Sequence, residues 1–470
     1  MFDWLCDKEV VYILNIVKKK KILNHLLNIH PTQAIVLGFA TIILIGAVLL
    51  NLPIASKDGQ SIGFLNALFT ATSAVCVTGL VVVDTYTHWT VFGQIIILTL
   101  IQIGGLGFMT MATLLSFVLR RRITLKERLL IVESLNQYNI QGVVKLIQRI
   151  LIGTLIFEGA GAIILSLRFI PDFGVVNGTY KGIFHAISAF CNAGFDLMGE
   201  YQQFSSLTMY VDDLIVNLVV MSLIVIGGLG FAVWDDVYRA KNFRGLQLHT
   251  KLVLSITGAL LVFGFIFFFL MEFNNPATLK PLNIKGKVLA SMFQSVTIRT
   301  AGFNTINQPD MTNASVFVTM FLMFIGGSPG STAGGIKTAT VGVLIFTVLA
   351  VIKGKEDIEL FERRINHSIA LRALAITAIS VVLVVTVTVI LSIFKDATLV
   401  EVLFEAISAF GTVGLSLGIT PSLSDISKLA LIITMFLGRV GVLTMALALA
   451  SRTHKAHSKY RYLEDKVMVG

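Results

Sequence analysis

The amino-acid sequence predicts an all-α polytopic membrane protein with eight transmembrane helices. They form four tandem units of helix, pore half-helix, filter loop and helix around a pseudo-fourfold central pore. Three observations predict it. Of 470 residues, 55% are hydrophobic and only 14% charged, where a water-soluble chain carries about a quarter. Apolar runs long enough to cross a bilayer, about 20 residues, recur along the chain. Between pairs of them lie shorter apolar stretches that end in related glycine strings, an internal repeat.

The long runs are 34–52, 91–118, 144–170, 214–234, 252–270, 315–352, 371–394 and 426–450. Basic residues alternate in side between them. Lys18 to Lys21, Arg120 to Arg122 with Lys126 and Arg128, Arg239 with Lys241 and Arg244, Lys353 with Lys355, Arg363 and Arg364, and the tail Arg452, Lys455, Lys459 and Arg461 share one side. The positive-inside rule places that side, and both termini, in the cytoplasm. The net charge of +10 is therefore read as loop placement rather than as a nucleic-acid surface. The predicted boundaries are an N-terminal segment 1–33, units 34–122, 143–240, 250–353 and 368–450, and a tail 451–470. No signal-peptide cleavage site follows the first apolar run, so the N-terminus is expected to be retained.

The outer loops hold the short stretches 63–75, 182–190, 288–298 and 399–410. They are too short to span and read as re-entrant half-helices. Their strings end at Thr78-Gly79-Leu80, Ala193-Gly194-Phe195, Ala301-Gly302-Phe303 and Val413-Gly414-Leu415, with glycines 115, 108 and 112 residues apart. Each is followed by a second glycine cluster: Gly104-Gly105-Leu106-Gly107, Gly227-Gly228-Leu229-Gly230, Gly326-Gly327-Ser328-Pro329-Gly330 and Gly438-Arg439-Val440-Gly441. Half-helices entering from outside aim their C-terminal partial negative charge inward, which favours a cation. The extended string that follows turns carbonyl oxygens to the axis, where they replace a cation's water, and glycine accepts the torsions this needs.

The run 315–352 has 38 residues, which as one helix is about 57 Å long against about 30 Å of hydrocarbon. It must break, and the break is Gly326, Gly327, Ser328, Pro329, Gly330, Ser331, Thr332, Ala333, Gly334 and Gly335, followed by Ile336, Lys337 and Thr338. Below one quarter of the pore such a loop is positioned to act as a movable gate, with Lys337 as its charge. Its near-match to a phosphate-binding loop fails, since Ile336 stands where lysine is required and no strand precedes it.

Arg439, in the middle of the eighth run, is expected to repel ions below the strings or to bond the gating loop's carbonyls. Glu158 is expected to hydrogen-bond neighbouring backbone, Arg299 to brace the third string from behind, and Asp84 and Asp196 to sit at the mouth, concentrating cations or simply solvated. Cys6, Cys76 and Cys191 show no metal spacing. No catalytic constellation is present, so an intramembrane enzyme built on Glu158 or Arg439 is disfavoured.

The four strings, the block from Phe293 to Phe303, the Gly-Ser-Pro-Gly-Ser-Thr-Ala-Gly-Gly-Ile-Lys-Thr loop at 327–338 and Arg439 resemble the Trk/Ktr/HKT superfamily of potassium transporters over nearly the whole chain. The likeness is greatest to Ktr-type membrane subunits, because the leading residues do not supply the two extra spans of Trk-type relatives. The resemblance maps the potassium-binding filter onto Val77, Thr78, Gly79 and Leu80; Asn192, Ala193, Gly194 and Phe195; Thr300, Ala301, Gly302 and Phe303; and Thr412, Val413, Gly414 and Leu415. It implies potassium as the transported ion, since serine at the first filter glycine accompanies sodium preference in relatives. It further implies a plasma-membrane homodimer and a cytoplasmic octameric ring of nucleotide-binding RCK subunits (KtrA-like), with nucleotide acting only through that partner. A sodium-coupled symporter on the same scaffold is the competing function. The T-V-G-Y-G string of tetrameric channels is absent, so fewer ordered ion sites are expected.

Overall fold

The structure, a computed structural model, describes residues 31–119, 123–134, 142–394 and 396–450. Lys18 to Lys21, Arg120 to Arg122 and the basic tail lie outside the described residues. Among the described residues the regular structure is helical apart from one short hairpin. Helix α1 (Pro31–Leu50) leads to α2 (Phe64–Val75), the first of the four short helices expected from the sequence to be pore helices. The second apolar run is divided into α3 (Val91–Leu106) and α4 (Phe108–Val118), and α5 (Leu125–Ser134) follows. Helix α6 (Val143–Phe190) joins a span to the second pore helix, with the break at Gly174, whose φ is 78°. Helices α7 (Leu214–Leu229) and α8 (Phe231–Ala240) meet at 94°.

Helix α9 (Leu248–Glu272), the third pore helix α10 (Ile284–Thr297), α11 (Asn313–Phe324) and α12 (Thr338–Ile352) come next. After them an antiparallel hairpin pairs β1 (Ile358–Leu360) with β2 (Arg363–Ile365). Helix α13 (His367–Phe394), the fourth pore helix α14 (Leu399–Gly411), α15 (Asp425–Val440) and α16 (Val442–Ala450) complete the chain. The apolar sides of the hairpin, Ile358, Leu360 and Ile365, pack with Leu252, Val343 and Ala370.

Among the described residues four helices are long and apolar enough to cross a membrane: Thr32–Leu50, Val143–Phe190, Leu248–Glu272 and His367–Phe394; the bent pair α7 and α8 makes a fifth. The sixth expected run is interrupted where glycine and proline cluster. The second, fourth and eighth runs, read from sequence as unbroken, are also divided. Gly107, Gly230 and Gly441 sit at those breaks with φ of 81°, 96° and 95°, torsions that end an α-helix and that glycine adopts without a Cβ clash.

A polar side chain starts each helix that follows a string. Thr90, Asp213, Thr312 and Ser424 accept from backbone N–H groups of α3, α7, α11 and α15. Such caps satisfy donors that have no partner in the first turn. Every pore helix carries a fully buried phenylalanine, Phe69, Phe184, Phe293 and Phe404, followed four residues later by a hydroxyl: Ser73, Ser188, Thr297 and Ser408. This spacing puts each pair on one helix face.

Candidate functional site: four glycine strings and a glycine-rich loop

Each pore helix holds the string that follows it. The N–H groups of Thr78, Ala193 and Val413 donate to the carbonyls of Ser73, Ser188 and Ser408 at 2.8, 2.8 and 2.9 Å, and Ala301 donates to Thr297 at 2.9 Å. The hydroxyls add a second tie. Ser73 and Ser408 accept from the Gly79 and Gly414 N–H groups at 3.0 and 3.1 Å. Ser188 and Thr297 instead donate to the carbonyls of Phe195 and Phe303, at 2.7 and 2.5 Å. The hydroxyl precedes the glycine by six residues in three strings and by five in the third. Aligning the strings on their glycines therefore sets the third pore helix one residue out of register.

The strings meet in cyclic order. A Cβ added to Gly79 would lie 2.5 Å from the Ala193 carbonyl oxygen, one on Gly194 2.6 Å from that of Ala301, one on Gly302 2.4 Å from that of Val413, and one on Gly414 2.2 Å from that of Thr78. No side chain fits at those distances. All four glycines have positive φ, between 70° and 91°. Two residues earlier Val77, Asn192, Thr300 and Thr412 are also left-handed, with φ of 50°, 58°, 70° and 50°. This repeated pattern of left-handed residues is unlike helix or strand and leaves the intervening carbonyls beside the neighbouring glycines. Thr78, Ala193, Ala301 and Val413 are fully buried, and so, nearly, are Leu80, Phe195, Phe303 and Leu415.

Three glycines of the second clusters do separate work. A Cβ at Gly104, Gly227 or Gly438 would fall 1.9, 2.0 or 2.1 Å from the carbonyl oxygen of Val75, Phe190 or Phe410, near the C-terminal ends of the pore helices. They let α3, α7 and α15 seat against those ends, a packing role that the strings themselves do not share.

The loop between α11 and α12 is bound by other parts of the chain. Ser328 and Thr332 donate backbone N–H groups to Gly228 and Gly227 at 3.0 and 3.3 Å, and Phe231 donates to Gly330 at 2.9 Å. The Ser328 hydroxyl bonds the Leu229 carbonyl. On the other side Gly335 donates to Gly438 at 3.2 Å. Arg439 donates to the Thr332 and Gly104 carbonyls and, at 3.1 Å, to that of Gly105. Lys337 turns its ammonium back to the Ala333 carbonyl at 2.5 Å. Within the loop Gly326 donates to Ile336 at 2.9 Å, and Pro329 lies at its turn.

Arg299 is placed differently from the sequence expectation. Its guanidinium reaches the Gly326 carbonyl at 3.2 Å and so braces the loop between α11 and α12 rather than the third string. Glu158 bonds a side chain, not backbone: the Gln102 amide donates to both its oxygens at 3.1 Å. Asp84 is buried and fully used, accepting from the Thr87 N–H and hydroxyl at 2.8 and 3.0 Å and from the Phe204 N–H at 2.9 Å. It clamps two loops and, with Asp196, lines the cavity next to the four string glycines.

Asp196 accepts from the Met198 N–H at 2.9 Å and lines a cavity shared with all four string glycines. Burial raises its carboxyl to about 7; Asp84 adds to the rise, and the Met198 N–H and Lys181 oppose it. A second cavity, beneath the strings, is lined by Gly105, Ser331, Lys337 and Arg439. Sequence reasoning missed Glu405, buried in α14, which accepts from Ser416 at 2.8 Å and from the Thr420 hydroxyl. It also missed Gln294, which exchanges hydrogen bonds with Gln308 at 2.9 and 3.0 Å. Both follow the buried phenylalanine directly, a recurring polar position the sequence does display.

The comparisons agree with this architecture. The family described as TrkH, cation transport protein, matches residues 30–459. The potassium/sodium uptake protein NtpJ of Enterococcus hirae is 42% identical over 458 residues, spanning 97% of this chain and 100% of the relative. The Ktr system potassium uptake protein B of Bacillus subtilis is 43% identical over 440 residues, spanning 94% and 97%. The crystal structure of the potassium transporter TrkH from Vibrio parahaemolyticus shares the fold, with a TM-score of 0.69 at 17% identity over 88% of this chain and 83% of that one. With a family match of this extent and relatives this similar end to end, the chain belongs to the TrkH family of cation transport proteins.

Proposed function

We propose that the chain takes up potassium across the plasma membrane through a pore built from four tandem repeats, 34–122, 143–240, 250–353 and 368–450, with eight membrane crossings and both termini in the cytoplasm. The observation that carries the reading is the closed cycle of Gly79, Gly194, Gly302 and Gly414, each against the carbonyl of the next quarter. Peptide oxygens so arranged replace the water around an alkali cation. The potassium-binding residues are then Val77 to Leu80, Asn192 to Phe195, Thr300 to Phe303 and Thr412 to Leu415. The loop 326–338, pinned by Arg439, is the gate that closes the path below them. Ion flux follows the electrochemical gradient, and this chain needs no cofactor of its own.

The assembly in this reading is a homodimer with one pore per protomer. A cytoplasmic ring of RCK subunits docks on the basic inner surface and relays a bound nucleotide to the gate. The names of the relatives, a Ktr system potassium uptake protein and a potassium/sodium uptake protein, support potassium as cargo. The second name also keeps sodium-coupled symport on the same scaffold as the competing reading. One experiment separates them. The protein in liposomes should carry rubidium or potassium with a reversal potential that follows the potassium gradient alone. A reversal potential that moves with a sodium gradient establishes coupling instead, and no selective flux removes the pore reading.

A further inference from the structure

The intramembrane loop touches three of the four strings at one register position, two residues before the glycine. That position is left-handed in every string, although Val77, Thr300 and Thr412 are β-branched. Such residues strongly disfavour that backbone, and a strained conformation persists only where its surroundings hold it. The pore-helix hydroxyls hold the glycine end of each string; the loop lies against the other end. The Thr332 hydroxyl meets the Asn192 amide at 3.2 Å. A Cβ on Gly326 would sit 3.3 Å from Thr300 Cγ2, and one on Gly334 2.3 Å from Thr412 Oγ1. Thr332 is itself fixed from both sides, its N–H by Gly227 and its carbonyl by Arg439.

Resting on the pore reading above, we propose that the loop is the floor of the filter as well as its gate. Thr332, acting through Asn192, positions the carbonyls of the second string. Ion selectivity then depends on a residue outside all four strings. The second string is the one tied to the loop by a side-chain hydrogen bond, and it alone carries an amide where the others carry Val77, Thr300 and Thr412. Thr332 is a positioning residue in this scheme, and displacement of the loop loosens the filter in the same movement that opens the path.

The test is the potassium-to-sodium permeability ratio of the full chain in liposomes, read alongside rubidium flux. Thr332→Val keeps the shape and removes the hydroxyl. It should lower the ratio about threefold to tenfold, the range one buried hydrogen bond supports. Thr332→Ser keeps the hydroxyl and should retain the wild-type ratio. Asn192→Thr, which installs the residue type of two other strings, reads the same contact independently and should lower the ratio even if Thr332→Val fails to purify. Adding Thr332→Val to Asn192→Ala should change nothing beyond Asn192→Ala alone. A selective wild type whose ratio is unmoved by Thr332→Val or Asn192→Thr, whatever its flux, overturns this inference alone. A wild type without selective flux overturns the pore reading and this inference with it.

Discussion

The four glycine strings and the 325–337 loop are both non-helical backbone set among apolar helices, yet they are held in different ways. Each string hangs from its own pore helix, through a main-chain bond and a hydroxyl six or seven residues from the group it bonds. The loop, besides bonds within itself, takes partners from distant chain: Gly227 and Gly228, about 100 residues before it, and Arg439, about 107 residues after Thr332. Buried peptide groups must be satisfied in either case. A string takes its main ties from its own pore helix, and the loop lies against only its far end. A loop satisfied by remote elements moves when those elements move, and that is the property a gate needs.

The largest expected effect comes from breaking a string. Gly302→Ser places a side chain 2.4 Å from the Val413 oxygen. Potassium selectivity over sodium should fall on the order of tenfold, about 1.4 kcal/mol, with no rise in flux without the partner. An unchanged permeability ratio would separate the strings from ion recognition.

Next is the loop. Arg439→Ala strips three carbonyls of their donor, at about 1–3 kcal/mol for each buried group left unpaired. Rubidium flux without any regulatory partner should rise several-fold. Flux at the wild-type level would mean that remote contacts do not hold the loop shut.

A smaller effect sharpens the local half of the contrast. Ser408→Ala removes the brace on the Gly414 N–H, worth about 1 kcal/mol. The permeability ratio should drop a fewfold while flux without the partner stays at the wild-type level; a rise in that flux instead would show that string and gate share one support.

The smallest concerns the mouth. Asp196 has a carboxyl raised to about 7, above its ordinary value, so it loses its proton as the outer pH rises through that value. Its charge, and with it cation attraction at the mouth, is present above about pH 7 and lost below. Uptake should fall about twofold as the outer solution goes from pH 8 to pH 6, an effect of less than 1 kcal/mol at an exposed mouth. Asp196→Asn should flatten the profile, and a mutant with the same pH dependence would assign the titration elsewhere.

Much of this was legible in the sequence because it is local or periodic. Apolar runs declare the membrane, four glycine strings declare a repeat, and the clustered glycines and Pro329 declare the broken sixth run. The pore-helix hydroxyls were equally visible, four residues after each buried phenylalanine. Their significance emerges only once Thr297 is seen to serve a string one residue shorter than the others. The breaks at Gly107, Gly230 and Gly441 were also written as glycine, within the second clusters, but glycines in apolar helices equally serve close helix packing.

The sequence alone determined a membrane chain with a fourfold glycine repeat and one interrupted crossing, because hydropathy, length and glycine spacing act within a few turns of backbone. Only the tertiary structure decided who holds whom. Arg439 meets Gly104 across 335 residues, Arg299 serves the loop rather than its own string, and Asp84 clamps Phe204 across 120 residues. Those pairings answer the demand that every buried polar group find a partner, and the partner is whichever one the packed helices bring within reach.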